Sequence, residues 1–110
     1  MKIDVRKEET ALIISVAGRM DAVSAPEFER TCNEWIAENE HTLVIDFKDL
    51  DYLSSAGLRS LLVIGKKLNA ENGSISLAAL KDIIKDVFTI SGFDSLFPIY
   101  ETVEAALAQI

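Results

Sequence analysis

The sequence predicts an α/β fold with a mostly parallel or mixed β-sheet of about four to five strands and about four helices. Short apolar runs rich in β-branched residues, such as Leu43–Phe47, are typical of strands buried on both faces. They alternate with segments whose apolar residues recur at helical spacing, such as Gly57–Leu68. Strands that alternate with helices favour a mostly parallel sheet with right-handed crossovers.

The N-terminal residues predict a β-hairpin. Ile3–Arg6 alternates between apolar and charged residues, as an edge strand does, and Ala11–Val16 is more uniformly apolar. The polar residues Lys7–Thr10 between them suit a tight turn. Gly18 then interrupts the strand pattern.

A loop and a helix are predicted next. Met20–Val23 reads as a loop, and Ser24 followed by Glu27 indicates a capping box at the start of a helix, with Pro26 in its first turn. One face of this helix is apolar, and we expect all of its members to pack in the core, namely Phe28, Cys32, Trp35 and Ile36.

A polar connector joins the central strand to the central helix. Ser55 precedes the first clearly helical residues, so it is the predicted N-cap of the helix that continues through Gly57–Leu68. A serine at that position usually only caps the helix. It also lies where unpaired backbone N–H groups and the helix dipole would accommodate a phosphate.

The C-terminal third predicts two further strands and two further helices. Ser74–Ala79 reads as a strand, and a helix begins at Asp82 and ends at Gly92. Phe97–Tyr100 reads as a short strand, and Thr102 caps the last helix.

Composition predicts one domain, residues 1–110, that is a monomer and needs no cofactor. The net charge is −7, which disfavours nucleic acid and anionic membranes as partners because both need clustered Lys and Arg. The single cysteine, Cys32, excludes an internal disulfide and suits a reducing compartment. No apolar run could span a bilayer, and the first residues lack a signal-peptide core, so we expect a cytoplasmic protein without membrane insertion.

The residues of common enzymes are missing, so we predict a protein that is not an enzyme. The only histidine, His41, is far from the serine pair in sequence, and no nucleophile elbow or phosphate-binding loop is present. One Cys and one His cannot make a typical zinc site. A cation bound by oxygen atoms is conceivable if four carboxylates meet, those of Asp21, Asp46, Asp49 and Asp51, although acidic residues in loops are usually solvated or capping.

The segment Tyr52–Leu62, which follows the Leu43–Phe47 strand, resembles the signature of the STAS domain. That family includes bacterial anti-sigma factor antagonists and the cytoplasmic tails of sulphate transporters. The resemblance covers essentially the whole chain. The other matching segments are Gly18–Asp21 with Ala25 and Phe28, Ile90–Phe93, and Phe97–Tyr100.

The resemblance implies a partner-switching regulator. In the antagonist family, an anti-sigma factor that is also a serine kinase phosphorylates a serine at the start of this helix, and a PP2C-type phosphatase removes the phosphate. Carried to this chain, Ser55 is the first candidate acceptor and Ser54 the second. The partner-binding residues expected from the same resemblance and from the apolar loop residues are Met20, Asp21, Val23, Ser24, Tyr52, Ser54, Ser55, Gly57 and Arg59.

One departure from the family pattern leaves an alternative open. The common pattern is Asp-Ser-Ser/Thr-Gly-Leu, and this chain has Ser54 at the aspartate position and Ala56 at the second hydroxyl position. Ala56 cannot accept phosphate. A Ser-Ala-Gly-Leu loop also occurs in STAS proteins attached to transporters, so the alternative is a STAS subunit of a membrane transport system, of the lipid ABC or sulphate transporter type.

Overall fold

The computed structural model describes residues 1–110 and contains a five-stranded sheet with four α-helices. The strands follow one another across the sheet in chain order; the first two are antiparallel and the others parallel. The elements are β1 (Lys2–Lys7), β2 (Leu12–Met20), α1 (Ala25–Ala37), β3 (Thr42–Leu53), α2 (Ser55–Ala70), β4 (Ser74–Ala78), α3 (Asp82–Ser91), β5 (Ile99–Tyr100) and α4 (Val103–Leu107). The predicted α/β class with a mixed sheet is therefore confirmed.

The sheet carries an apolar cluster on each face. On one face, α1, α2 and α3 cover a core of 23 buried residues that includes Ile14, Phe28 and Phe88. On the other face, the short helix α4 covers a smaller cluster of 6 buried residues around Ile13 and Val44. Neighbouring residues such as Ile13 and Ile14 face opposite sides because side chains alternate along a strand. None of the helices combines the length and the apolarity needed to cross a bilayer.

Strands β2 and β3 are longer than the sequence pattern predicts. Irregular pairing between them near Ala17 and Gly18 disturbs the alternation, and Gly18 takes a φ of +89° that favours glycine. The ladder then resumes, with Arg19 opposite Tyr52 and Met20 opposite Leu53. The prediction that Met20 and Tyr52 lie in loops was therefore wrong.

Most predicted element boundaries in the last third are confirmed. Gly92 ends α3 in the left-handed conformation, with φ +78°. The Thr102 hydroxyl accepts a hydrogen bond from the Ala105 amide at 3.0 Å and caps α4. The last strand is shorter than Phe97–Tyr100, because Phe97 leaves the sheet and packs in the core against Phe88.

The predicted burial of the α1 stripe holds for three residues and fails for the fourth. Phe28, Cys32 and Ile36 are buried, whereas Trp35 is 37% exposed. Residue 35 is turned by about 100° from residue 36 on a helix, so its side chain reaches the edge of the apolar stripe and not its centre.

Candidate functional site

The predicted site forms where β2 and β3 end side by side. The Ser54 amide donates a hydrogen bond to the Met20 carbonyl at 2.9 Å, directly after the last paired residues of the two strands. The carboxyl ends of parallel strands share one edge of a sheet, so the 21–24 turn and the start of α2 become neighbours there.

Asp21 organises the turn that leads into α1. Its Oδ1 accepts hydrogen bonds from the amides of Val23 and Ser24 at 3.0 and 3.1 Å. These bonds hold the pKa of the Asp21 carboxyl below its usual value; the bond from the Ser24 amide contributes most, and partial burial opposes it. The carboxylate form is therefore the one that the turn stabilises.

The structure confirms that Ser24 is the N-cap residue of α1 and that Pro26 lies in its first turn, but the predicted capping box was wrong. The Ser24 Oγ makes no bond to the first turn of α1; it accepts from the Asp21 amide at 2.9 Å and lies 2.9 Å from the Arg19 carbonyl oxygen. Asp21 already binds the free amides of this turn, so the hydroxyl of Ser24 ties the turn back to the end of β2.

The N-cap of α2 is Ser54, and the prediction of Ser55 was off by one residue. Ser54 has an extended backbone, φ −88° and ψ 172°, and its Oγ accepts a hydrogen bond from the Gly57 amide at 3.2 Å. Ser55 is the first residue of the helix and is exposed, whereas Ser54 is half-buried. The two candidate acceptor hydroxyls therefore have different environments.

Two residues expected at the partner surface lie in the interior instead. Met20 is fully buried, and Gly57 is buried where α2 meets the ends of β2 and β3. A Cβ atom on Gly57 would lie 2.5 Å from Leu53 Cδ1 and 3.2 Å from the Met20 carbonyl oxygen. Glycine is therefore needed at position 57 for the close approach of the helix, and neither residue offers a side chain to a partner.

At the exposed part of this edge, an aromatic residue pairs with a cation. The sequence pattern did not predict this pair. The Arg19 guanidinium carbon lies 4.1 Å from the Tyr52 ring centroid, and Tyr52 remains 40% exposed. No sequence spacing links residues 19 and 52; only the register of β2 against β3 brings them together. Val23 is 89% exposed, and Arg59 is exposed on the first turns of α2.

The four aspartates considered as a cation site do not form a cluster, and Asp46 and Asp51 bind other side chains of the chain. Asp46 Oδ2 accepts from the Ser15 hydroxyl at 3.2 Å, and Asp51 pairs with Lys81. No group of three or more His, Cys, Asp or Glu side chains is arranged to hold a metal ion.

The chain belongs to the STAS domain family, whose model matches residues 2–106. A candidate anti-sigma factor antagonist from Bordetella bronchiseptica, BtrV, is 37% identical over 108 residues, which are 98% of this chain and 93% of that protein. The crystal structure of an anti-sigma factor antagonist from Mycobacterium paratuberculosis gives a TM-score of 0.90 at 28% identity and covers 99% of this chain and 92% of the solved one.

A more distant likeness concerns the fold alone. The anti-sigma factor antagonist SpoIIAA in its unphosphorylated form gives a TM-score of 0.85 at 19% identity, over 98% of this chain and 95% of the solved one. The Bacillus SpoIIAA structure in the phosphorylated form gives 0.76 at 19% identity, over 98% of each chain.

Proposed function

We propose that this chain is an anti-sigma factor antagonist that is switched by phosphorylation of Ser55. Its partners are an anti-sigma factor with serine kinase activity and a PP2C-type phosphatase. The names of its relatives support the first part of the proposal, and the solution of SpoIIAA in unphosphorylated and phosphorylated forms supports the second.

The different environments of the two serines carry the proposal. The Ser54 hydroxyl is occupied by the Gly57 amide, so a kinase would have to break the helix cap to reach it. Ser55 is exposed one residue later, in the first turn of α2. A kinase needs an accessible hydroxyl, and Ser55 provides it without local unfolding.

A phosphate at Ser55 would act on binding and leave the fold intact. It adds about −1.5 to −2 charges at a helix N-terminus, where negative charge is stabilised by the helix dipole. The same charge would face a partner that contacts the exposed and half-buried residues of this edge, for which we propose Asp21, Val23, Ser24, Tyr52, Ser54 and Arg59. The partner is therefore released by charge repulsion and lost surface complementarity.

The test is mass spectrometry of the protein after incubation with its cognate kinase and ATP. We expect phosphate on Ser55 in the wild type and in Ser54→Ala, and none in Ser55→Ala. Ser55→Ala should still bind the kinase, because an interface rarely depends on one exposed hydroxyl.

The second measurement tests how a phosphate-like negative charge at position 55 changes the affinity for the kinase. Ser55→Asp should fold as well as the wild type, since Asp suits the first turn of a helix, but should bind the kinase about tenfold more weakly or worse. Ser55→Asn has a similar shape without the charge and is the matched control. Phosphate on Ser54 would contradict the assignment of Ser55, and phosphate on neither serine would contradict the proposed switch and favour the transporter-subunit alternative.

A further inference from the structure

The C-terminal end of α1 presents the only tryptophan of the chain between two glutamates. Trp35 is 37% exposed. It lines a shallow depression of about 450 Å³ together with Glu34, Ala37 and Glu38. Positions 34 and 38 are one helical turn apart and position 35 is three residues from 38, so the three side chains share one face. We name Glu34, Trp35 and Glu38 the Trp35 patch.

Each member of the Trp35 patch is unfavourable for the isolated chain. Like charges at positions i and i+4 of a helix repel each other, as Glu34 and Glu38 do. The last turn of α1 holds no basic residue, so carboxylates stand at the helix end that favours cations. An exposed indole leaves apolar surface in water.

The neighbouring cation does little to relieve these costs. Arg30 lies 3.6 Å from Glu34, but the two side chains are 69% and 68% exposed. An ion pair so open to solvent is worth little and is readily exchanged for another partner. Glu38 has no basic partner within the chain. Residues that break local rules without compensation within the fold are typical of functional surfaces.

We propose that the Trp35 patch is a docking surface for an arginine-bearing segment of a partner protein. A guanidinium group is planar, stacks on an indole face, and has donors left over for carboxylates on either side. One arginine would cover the exposed indole, separate the two like charges and place a cation at the C-terminal end of α1. Charge complementarity therefore selects a basic occupant, and the aromatic face selects arginine over lysine.

This surface is separate from the Ser55 site. Helix α1 runs from the end of β2 to the start of β3, so its C-terminal end lies at the opposite edge of the sheet from the first turn of α2. The inference goes beyond the proposed function: a partner could hold the Trp35 patch whether or not Ser55 carries phosphate.

The test uses a short peptide with three arginines and its twin with lysine at the same positions. Trp35 is the only tryptophan, so its fluorescence reports binding at the patch directly. We expect the arginine peptide to bind about two- to fivefold more tightly than the lysine peptide. Amide chemical shifts should change mainly around residues 34–38.

Three variants separate the contributions. Trp35→Leu should remove the preference for the arginine peptide over the lysine peptide. Because this variant has no tryptophan, its binding is measured from the amide chemical shifts. Glu38→Gln should weaken both peptides and raise the melting temperature, since it removes a repulsion; binding and stability then change in opposite directions, which a folding defect cannot imitate. Glu104→Gln removes the same charge from the first turn of α4, on the other face of the sheet. It should leave peptide binding unchanged and, because a carboxylate suits the start of a helix, should not raise the melting temperature.

Three results would overturn the proposal. The first is equal binding of the two peptides to the wild type. The second is equal weakening by Glu38→Gln and Glu104→Gln, which would mean that only net charge attracts the peptides. The third is self-association through Trp35 in sedimentation, which would make a second copy of the chain the occupant.

Discussion

At the scale of the residue, the absence of a side chain at Gly57 lets α2 approach the ends of β2 and β3 closely. Gly57 lies in the first turn of α2, where the helix touches the ends of β2 and β3. A Cβ would lie 2.5 Å from Leu53 Cδ1, the end of a buried side chain, 3.1 Å from Met20 Cγ and 3.2 Å from the Met20 carbonyl oxygen. Helix propensity favours alanine at such a position, but overlap with the buried Leu53 side chain and the tight contacts with Met20 oppose it.

We expect Gly57→Ala to lower the free energy of unfolding by about 1–2 kcal/mol, because overpacking exceeds the gain in helix propensity. Urea denaturation followed by circular dichroism measures the change. Gly65→Ala on the same helix is the matched control: its Cβ would approach the Phe97 ring edge at 3.2 Å, a smaller overlap, and it should cost less. A stabilised Gly57→Ala variant would show that the helix start can move outward freely.

At the scale of the element, the start of α2 divides two tasks between adjacent serines. Ser54 closes the helix through its hydroxyl, and Ser55 remains open to solvent. A helix needs its first amides satisfied, so the capping residue is constrained by stability and its neighbour is not. Measurements of the free energy of unfolding can therefore distinguish the capping serine from its neighbour without any partner present.

Ser54→Ala should destabilise the protein by about 1 kcal/mol, and Ser55→Ala should change its stability by no more than about 0.5 kcal/mol. Thermal unfolding of the two variants under identical conditions measures the difference. Ser54→Asp restores a capping group and should recover the lost stability. Equal effects of the two alanine variants would show that Ser54 is not the N-cap of α2.

At the scale of the whole molecule, the helices on one face of the sheet seal a core that contains the only thiol. Cys32 is fully buried, and loss of hydration, reinforced by the negative charge of Glu29, raises the pKa of its thiol to about 12. The reactive form of a cysteine is the thiolate, so folding suppresses both access and ionisation.

Cys32 should therefore react with a thiol reagent only when the molecule opens. At pH 8 burial keeps the native thiol protonated, whereas an exposed cysteine of the unfolded chain, with an ordinary pKa near 8.5, is partly ionised. We expect labelling by iodoacetamide to increase along the same urea curve as the loss of circular dichroism. Free 2-mercaptoethanol in the same buffers provides the reference rate. Fast labelling in native buffer would show that α1 detaches from the core on its own.

The local sequence pattern determined the class of each element and the resemblance to the STAS family. Strand and helix periods, the glycine that ends α3 and the threonine that caps α4 act within a few residues, so they can be read without knowing what packs against them. The Tyr52–Leu62 signature is likewise contiguous. It located the start of α2 to within one residue and identified the pair of serines.

Only the tertiary structure decided which residues of that region are buried and which are exposed. Register between β2 and β3 joined Arg19 to Tyr52 and buried Met20, because strand pairing depends on residues about thirty positions apart. Trp35 became exposed because the packing of α1 against the sheet fixed the width of the buried stripe. Helical period shows which side chains share a face; how far burial extends around that face depends on the neighbouring elements.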